Sequence, residues 1–140
     1  MIEMSNDWEV IYAYSRAQAI SDGVLVDMDA GDFGKGETGK QLRESLGIRL
    51  PIAMTSTLFG EIECNEEDTK VGQSLLGRFW DILSVFRYAA LRNKSESQIT
   101  FPLAVFRADK GKTENVNVKA VIGAGDDGSP ALTFMLPEED

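Results

Sequence analysis

The 140-residue sequence contains no histidine and a single cysteine, Cys64. Without histidine the chain cannot build a Ser-His-Asp or Cys-His nucleophilic pair, a histidine metal site or an imidazole switch near neutral pH. With one cysteine it can form neither an internal disulfide nor a Cys-x-x-Cys redox or zinc motif. These absences exclude several large classes of enzyme, and we expect neither a bound metal nor a cofactor.

The sequence also lacks a long uninterrupted apolar run. Its most apolar region, residues 75–91, contains Arg78, Asp81 and Arg87, so it cannot supply the roughly 20 mainly apolar residues of a membrane span. The first ten residues carry acidic side chains where a secretory signal needs basic ones. We therefore expect a cytoplasmic protein that does not enter a membrane.

Apolar residues are nevertheless frequent enough for one core, at 43% hydrophobic and 9% aromatic, which predicts a single domain over residues 1–140. The 23 acidic and 14 basic side chains give a net charge of -9. This charge repels a phosphate backbone, so we expect a protein partner and no direct nucleic-acid binding. Nucleic acid becomes plausible only if one face gathers the basic residues Arg78, Arg87, Arg92, Lys94 and Arg107.

The spacing of apolar residues predicts an α+β fold. A helix is expected from Gln73 to about Asn93, where apolar residues recur at helical intervals. The last forty residues follow strand patterns over 99–107, 115–122 and 131–136, which predicts a three-stranded antiparallel meander. Because three strands need an apolar cover on one face, we expect this C-terminal meander to pack on the long central helix.

Short helices and short strands are predicted in the N-terminal half. Residues 9–14 are rich in β-formers, and a helix over 15–22 is closed by Gly23. A short strand is expected over 24–26. Further helices are expected over 39–46 and from Thr55 or Ser56 through Ile62.

A glycine-rich segment provides one candidate site. Gly34, Gly36, Gly39 and Lys40 fit both G-x-G-x-x-G and the G-x-x-x-x-G-K part of a phosphate-binding loop, in which backbone N–H groups and a lysine hold phosphates. Gln41 stands where the motif requires serine or threonine, and no parallel sheet with crossover helices is predicted. Binding of a nucleotide or small ligand is therefore the alternative hypothesis.

A dense acidic run provides a second candidate site. Clustered carboxylates in a polar stretch are normally solvated and unsuited to acid-base catalysis, but on a rigid surface they can imitate a phosphate backbone and engage a basic groove. The predicted acidic interaction surface comprises Glu61, Glu63, Glu66, Glu67 and Asp68.

Two sequence blocks, residues 14–20 and 22–27, resemble an uncharacterised family of short acidic bacterial proteins often encoded on plasmids and phages. Later blocks around residues 77–81 and 121–126 continue the resemblance. It implies no assigned activity and no catalytic residue. If the family shares a binding site, the first candidates are the polar members of these blocks, namely Tyr14, Arg16, Gln18, Asp27, Arg78 and Asp81. Arg78 and Asp81 are also three apart on the predicted helix, where such residues can pair.

These observations favour a non-enzymatic accessory protein of a mobile element, binding a host or element protein through its acidic surface. Such a protein would act, for example, as an anti-defence or nucleic-acid-mimicking modulator. A third hypothesis is an obligate homodimer that uses apolar surface around Trp8, Trp80 and Phe86. The sequence leaves the oligomeric state open.

Overall fold

The computed structural model describes residues 15–31 and 38–139 of the chain. Within them, a mixed sheet of five strands is combined with five helices, and the predicted α+β class is confirmed. In chain order the elements are α1 (Arg16–Ser21), β1 (Leu25–Asp27), α2 (Gly39–Ser45), β2 (Ile52–Thr55), α3 (Ser56–Ile62), α4 (Glu66–Lys70), α5 (Leu75–Arg92), β3 (Gln98–Arg107), β4 (Lys112–Ala124) and β5 (Pro130–Met135).

The strands are ordered β1-β2-β5-β4-β3 across the sheet. β3, β4 and β5 are antiparallel neighbours, as the meander prediction required. However, β2 lies parallel to β5, with Ile52 opposite Leu132, and β1 adds antiparallel to β2. The prediction of a three-stranded meander as the whole C-terminal layer is therefore wrong, because the meander is one part of a larger mixed sheet.

The sequence pattern did not predict strand β2, and the reason is physical. All four of its side chains are buried, so it lacks the alternation of apolar and polar residues that marks a half-exposed strand. Its parallel partner lies far along the chain, beyond the range of local sequence patterns. By contrast, alternate side chains of β3 are buried, beginning with Ile99, and that strand was predictable.

The long helix α5 packs on the five-stranded sheet, and not on a separate three-stranded meander as was predicted. Phe79, Ile82 and Leu83 are fully buried. Phe86 packs edge-on against Phe134, with ring centroids 5.5 Å apart. Each such buried side chain contributes about 1.5–3 kcal/mol through burial of apolar surface. The core extends beyond this helix, because the α3 residues Leu58 and Ile62 are also fully buried.

Side-chain caps mark the starts of three helices, and glycines follow the ends of two. Ser15, Thr55 and Ser74 each accept a backbone N–H of the helix that follows. Gly23 and Gly47 have φ of 79° and 78° just past α1 and α2, a conformation that glycine adopts without a Cβ clash. The predicted β-rich segment over 9–14 lies outside the described residues. No helix among residues 15–31 and 38–139 is long and apolar enough to cross a bilayer.

The C-terminal residues fasten the start of α3 to the sheet. Buried Lys119 on β4 donates through Nζ to the carbonyl oxygens of Pro137 and Glu139. The Glu139 carboxylate accepts hydrogen bonds from Thr55 Oγ1 at 2.8 Å and from the Leu136 N–H at 2.9 Å. Since Thr55 caps α3, these bonds fix where that helix begins.

The first residue of α2, Gly39, lies close against the backbone of the segment that follows β1. A Cβ built on Gly39 would lie 1.6 Å from the carbonyl oxygen of Met28, and the Gly39 N–H donates to the carbonyl of Gly31 at 3.1 Å. No residue with a side chain fits here without moving one of the two backbone segments.

We predict that Gly39→Ala lowers the free energy of unfolding by about 3 kcal/mol or more, because the clash is with backbone and no side chain can rotate away. Gly60→Ala is the matched control, since a Cβ on that α3 glycine meets nothing within 4 Å and alanine is the better helix former by about 1 kcal/mol. Urea denaturation of both variants measures the difference. Equal destabilisation would contradict the assignment.

Candidate functional site

A buried ion pair joins three segments of the fold at one end of α5. Asp68 and Arg78 are each 2% exposed, and Asp68 Oδ2 lies 3.4 Å from Arg78 Nη2. Arg78 also donates to the carbonyl oxygens of Ile62 at 3.2 Å, Glu63 at 2.9 Å and Phe106 at 2.6 Å. One guanidinium thus connects the end of α3, the short helix α4 and the end of β3.

Asp68 is held as firmly as its partner. Its carboxylate accepts the backbone N–H of Ala108 at 2.9 Å and that of Asn65 at 3.1 Å, while its own N–H donates to Asn65 Oδ1 at 2.8 Å. The Ala108 hydrogen bond, with help from Asn65 and the charge of Arg78, outweighs desolvation and lowers the pKa of Asp68 below its ordinary value. Asp68 is therefore a structural carboxylate.

A cleft of about 560 Å³ lies beside this pair, between α3–α4 and the turn that joins β3 to β4. We call it the hairpin cleft. Five carboxylates and two cations line it together with Gly60, Cys64 and Asn65; the charged residues are Glu61, Glu63, Asp68, Asp109, Glu114, Arg107 and Lys110. The excess of carboxylates makes the cleft acidic.

Ion pairs fix part of the wall of the hairpin cleft. Arg107 lies between two carboxylates, with Nη2 3.2 Å from Glu61 Oε2 and Nε 3.1 Å from Glu114 Oε1. Lys110 lies 3.3 Å from Glu114 Oε2 and is the main reason that the pKa of Glu114 lies below its ordinary value. Glu63 forms no ion pair with any cation of the described residues.

The structure divides the predicted acidic surface. Four of its five residues, Glu61, Glu63, Glu66 and Glu67, are exposed, and we call these four the acidic edge. Asp68 is buried against Arg78 and does not belong to this exposed edge, although it borders the hairpin cleft. The N-cap residue three positions before Asp68 was the available sequence signal, because an Asn-x-x-Asp spacing closes a capping box that ties the carboxylate to the backbone.

Cys64 lies in the hairpin cleft and is half-buried. Burial raises the pKa of its thiol above the ordinary value, and this outweighs the nearby charge of Arg78. Because the thiolate is the reactive form, the environment of Cys64 is the opposite of that of an activated nucleophile.

A second cleft, of about 510 Å³, brings together two of the residues singled out by the family resemblance, Arg16 and Asp27. Arg16 Nη1 donates to Thr133 Oγ1 at 2.6 Å and its Nη2 donates to the Leu132 carbonyl at 2.7 Å. The carboxylate of Asp126 accepts the backbone N–H of Arg16 at 2.7 Å. Burial lowers the pKa of Arg16, opposed by the charges of neighbouring aspartates. Arg16 therefore fastens α1 to β5.

Asp27 and Asp29, two carboxylates of this second cleft, already accept hydrogen bonds from other groups of the protein. Asp27 Oδ1 accepts the backbone N–H of Asp29 at 3.0 Å and of Ala30 at 3.3 Å. Asp29 accepts two hydrogen bonds from Arg43, at 2.8 and 2.9 Å. Within residues 15–31 and 38–139, no group of three or more carboxylate or thiol side chains is arranged to hold a metal ion.

The remaining candidates from the resemblance do not join Arg16 and Asp27. Gln18 is exposed on α1, and Tyr14 lies outside the described residues. Asp81 is on the exposed side of α5, where desolvation raises its pKa. The predicted surface pairing of Arg78 with Asp81 is wrong, because Arg78 points into the core and pairs with Asp68. The structure therefore does not gather the six residues into one site.

The phosphate-loop motif is only partly within the structure, since Gly34 and Gly36 lie outside the described residues. The backbone N–H groups of Gly39 and Lys40 each donate to a carbonyl oxygen of residues 29–31 at 3.1 Å. The third amide of α2 donates to the side chain of its N-cap threonine at 3.2 Å. A phosphate cradle requires free amides at a helix start, and these three are already used within the protein.

The five basic residues whose clustering was considered in the sequence do not share a face. Arg78 is buried at the start of α5, and Arg107 lies in the hairpin cleft. Arg87 and Lys94 line a different groove near the end of α5. The Arg92 guanidinium packs 5.4 Å from the ring centroid of Tyr88. The arrangement does not form the continuous cationic strip that tracks a nucleic-acid backbone.

These features define the class: an α+β protein with a five-stranded mixed sheet, an acidic cleft and a buried ion pair that supports it. The chain belongs to a family of unknown function, DUF6573, whose model matches residues 1–140. No curated protein and no solved structure matches the chain significantly. The predicted membership of an uncharacterised family is confirmed, whereas the bacterial origin on plasmids and phages stays a prediction.

We predict that Arg78→Met lowers the free energy of unfolding by about 3 kcal/mol or more, because it leaves a buried carboxylate without its cation and three carbonyls without a donor. Arg87→Met is the control on the same helix; its side chain is exposed, so a change within about 0.5 kcal/mol is expected. Chemical denaturation near pH 7 compares them. Similar losses in both variants would show that the buried pair is unimportant.

The lowered pKa of Asp68 predicts a pH dependence. The folded state keeps this carboxylate ionised at a lower pH than the unfolded chain, in which an Asp side chain has its ordinary pKa of 3.8. The contribution of Asp68 to stability is therefore complete above that pH and is lost as pH falls through the folded-state pKa. Between about pH 5 and 3, Asp68→Asn should show a shallower loss of unfolding free energy than wild type. Parallel pH profiles would contradict this role.

Proposed function

We propose that this protein is a non-enzymatic accessory protein that binds a basic segment of a protein partner through the hairpin cleft and the acidic edge. One observation carries the proposal: the buried pair of Asp68 and Arg78 anchors the helices that display these carboxylates. Exposed acids on a mobile loop are only solvated, whereas acids on an anchored backbone present a fixed pattern of negative charge.

This anchoring strengthens binding, because side chains and loops that are mobile in the free protein lose conformational entropy when a partner binds. Immobilising a rotamer-rich side chain costs about 0.5–1.5 kcal/mol, and a loop costs more. Here the backbone is already fixed on both sides of Glu63 by the bonds of Arg78. Glu66 and Glu67 lie in the first turn of α4, where the helix dipole also favours negative charge. Complementary charge of this kind governs partner choice and association rate.

The finer form of the proposal concerns biological context. We propose that the partner is a host or element protein that handles nucleic acid, and that the carboxylates imitate phosphates in its basic groove. An accessory role on a phage or plasmid in the bacterial cytoplasm belongs to the same proposal, and its support is the sequence resemblance carried by residues 14–20 and 22–27. The net charge of -9 is in keeping with it.

The two other hypotheses have less support. Nucleotide binding by the Gly34–Lys40 segment is not favoured, because the amides at the start of α2 are engaged by the protein itself. For the homodimer hypothesis, Trp80 is 41% exposed but Phe86 is only 5% exposed, and Trp8 lies outside the described residues. Of these residues that lie within the described part of the chain, Trp80 is exposed and Phe86 is not.

The proposal predicts that neutralising three of the four glutamates of the acidic edge, all except Glu61, greatly reduces partner capture. The test variant combines Glu63→Gln, Glu66→Gln and Glu67→Gln; the control combines Glu44→Gln, Glu96→Gln and Glu138→Gln, which changes the charge equally at other exposed sites. Immobilised wild type, test and control chains are incubated with bacterial lysate, and bound proteins are quantified by mass spectrometry. Proteins retained by wild type and control should be lost from the test variant, and raising the salt concentration should release them.

Purified candidates from this comparison are then titrated by calorimetry. About tenfold or greater weakening is expected for the test variant, from three lost charge contacts of modest individual strength. The proposal fails if no protein distinguishes the test variant from the control, or if the binding of those that do is insensitive to salt.

A further inference from the structure

A groove of about 470 Å³, separate from the two clefts described above, lies at the opposite end of α5 from the Asp68–Arg78 pair. The C-terminal part of α5 forms one side, and the segment between α2 and β2 forms the other. Ile48 and Phe86 are buried there, Leu46 and Leu50 are half-buried, and Leu91 is 57% exposed. A leucine exposed to this extent beside a largely apolar depression is available for contact with another molecule.

Three cations surround this apolar depression: Arg49, Arg87 and Lys94. All three are exposed, and none of them lies within ion-pair distance of a carboxylate of the described residues. None of the residues lining the groove is acidic. This is unexpected in a chain whose 23 acidic side chains outnumber its 14 basic ones.

We infer that this groove, here called the basic groove, binds an acidic amphipathic segment of a partner protein. The unpaired cations supply charge complementarity for carboxylates, and the apolar depression between them receives the apolar side chains of the same segment. A peptide that carries both kinds of side chain on one face is recognised in this way by a groove.

The observations favour such a peptide over the other occupants of a basic surface. Duplex nucleic acid presents phosphates but no aliphatic side chains for Leu91 and Leu50, and the net charge of -9 opposes its approach. The cations are also few: the adjoining depression adds Lys40 and Arg43, but Arg43 is paired with Asp29 and Glu44 lines the same depression. Single-stranded nucleic acid needs exposed aromatic rings for stacking, whereas Phe86 is buried.

The inference goes beyond the proposed function, because it assigns a second partner surface of opposite charge at the other end of the same helix. The two surfaces share no residue. Loss of one interaction therefore leaves the other measurable.

The inference is tested by fluorescence anisotropy with a labelled amphipathic peptide of roughly 18 residues, carrying leucine or phenylalanine at i, i+3, i+4 and i+7 and glutamate at the flanking positions. A second peptide replaces every glutamate by glutamine. The full chain should bind the acidic peptide saturably and the glutamine peptide about tenfold more weakly, since several charge contacts are removed.

Two charge-reversal variants localise the binding. Arg87→Glu with Lys94→Glu changes the basic groove, and Lys70→Glu with Lys112→Glu makes the same change of charge at exposed positions elsewhere. The groove variant should bind the acidic peptide at least about tenfold more weakly, and the control should stay within about threefold of wild type. Leu91→Asp should also weaken binding. The variant with Glu63, Glu66 and Glu67 changed to glutamine should bind the acidic peptide undiminished, which separates this inference from the proposed function.

Several outcomes would overturn the inference. They are absence of saturable binding to the acidic peptide, equal binding of the glutamine peptide, and equal loss in the groove variant and its control. Tighter binding of a DNA duplex that is lost in the groove variant would identify a nucleic-acid surface instead. A dimer seen by light scattering and abolished by Leu91→Asp would show that a second copy of the chain occupies the groove.

Discussion

The arrangement of the acidic end of this protein depends on the buried contact between Asp68 and Arg78. An ion pair removed from water gains little net free energy, because desolvation of both charges offsets their attraction. The contribution of this ion pair is to fix the relative positions of the segments that it joins. Each partner also bonds to backbone groups of other segments, so the pair specifies how α3, α4, α5 and the end of β3 meet. Arg78 Nε, buried without a hydrogen-bond partner among the described residues, is part of the cost.

In the resulting fold, the two ends of α5 lie beside surfaces of different charge. Near its first turn lie the hairpin cleft and the acidic edge, where carboxylates outnumber cations. Near its last turn lies the basic groove, whose lining contains no carboxylate. The net charge of -9 conceals this division. The proposed function and the further inference assign one partner to each of these two surfaces.

The structure shows which contacts are made by the polar residues of the blocks that carry the family resemblance. Arg16 fastens α1 to β5, while Asp126 holds the first amides of α1, including that of Ala17 at 2.9 Å. Arg78 joins three segments, and Asp27 closes a turn of its own backbone. These residues were the first candidates for a binding site on sequence grounds. Their contacts are those of structural residues, which hold the chain in the shape that its surfaces require.

Local sequence by itself determined most of the helices and the antiparallel neighbours β3, β4 and β5, although α4 was not predicted. Ser15, Thr55 and Ser74 end up as caps, and Gly23 and Gly47 end helices, because capping and left-handed backbone are decided within a few residues. The alternation along β3 likewise needs only a half-buried strand. Absence of histidine and of paired cysteines removed whole classes of chemistry without any coordinates.

Only the tertiary structure decided how β2 pairs in the sheet and which acidic side chains are buried. The parallel pairing of β2 with β5 depends on segments far apart in the chain, and a fully buried strand of four residues carries no periodic signal. Burial also separates Asp68 from the four glutamates beside it, although all five are acidic in sequence. Charge along a chain is read from composition, but whether a carboxylate faces solvent or a guanidinium is set by what packs over it.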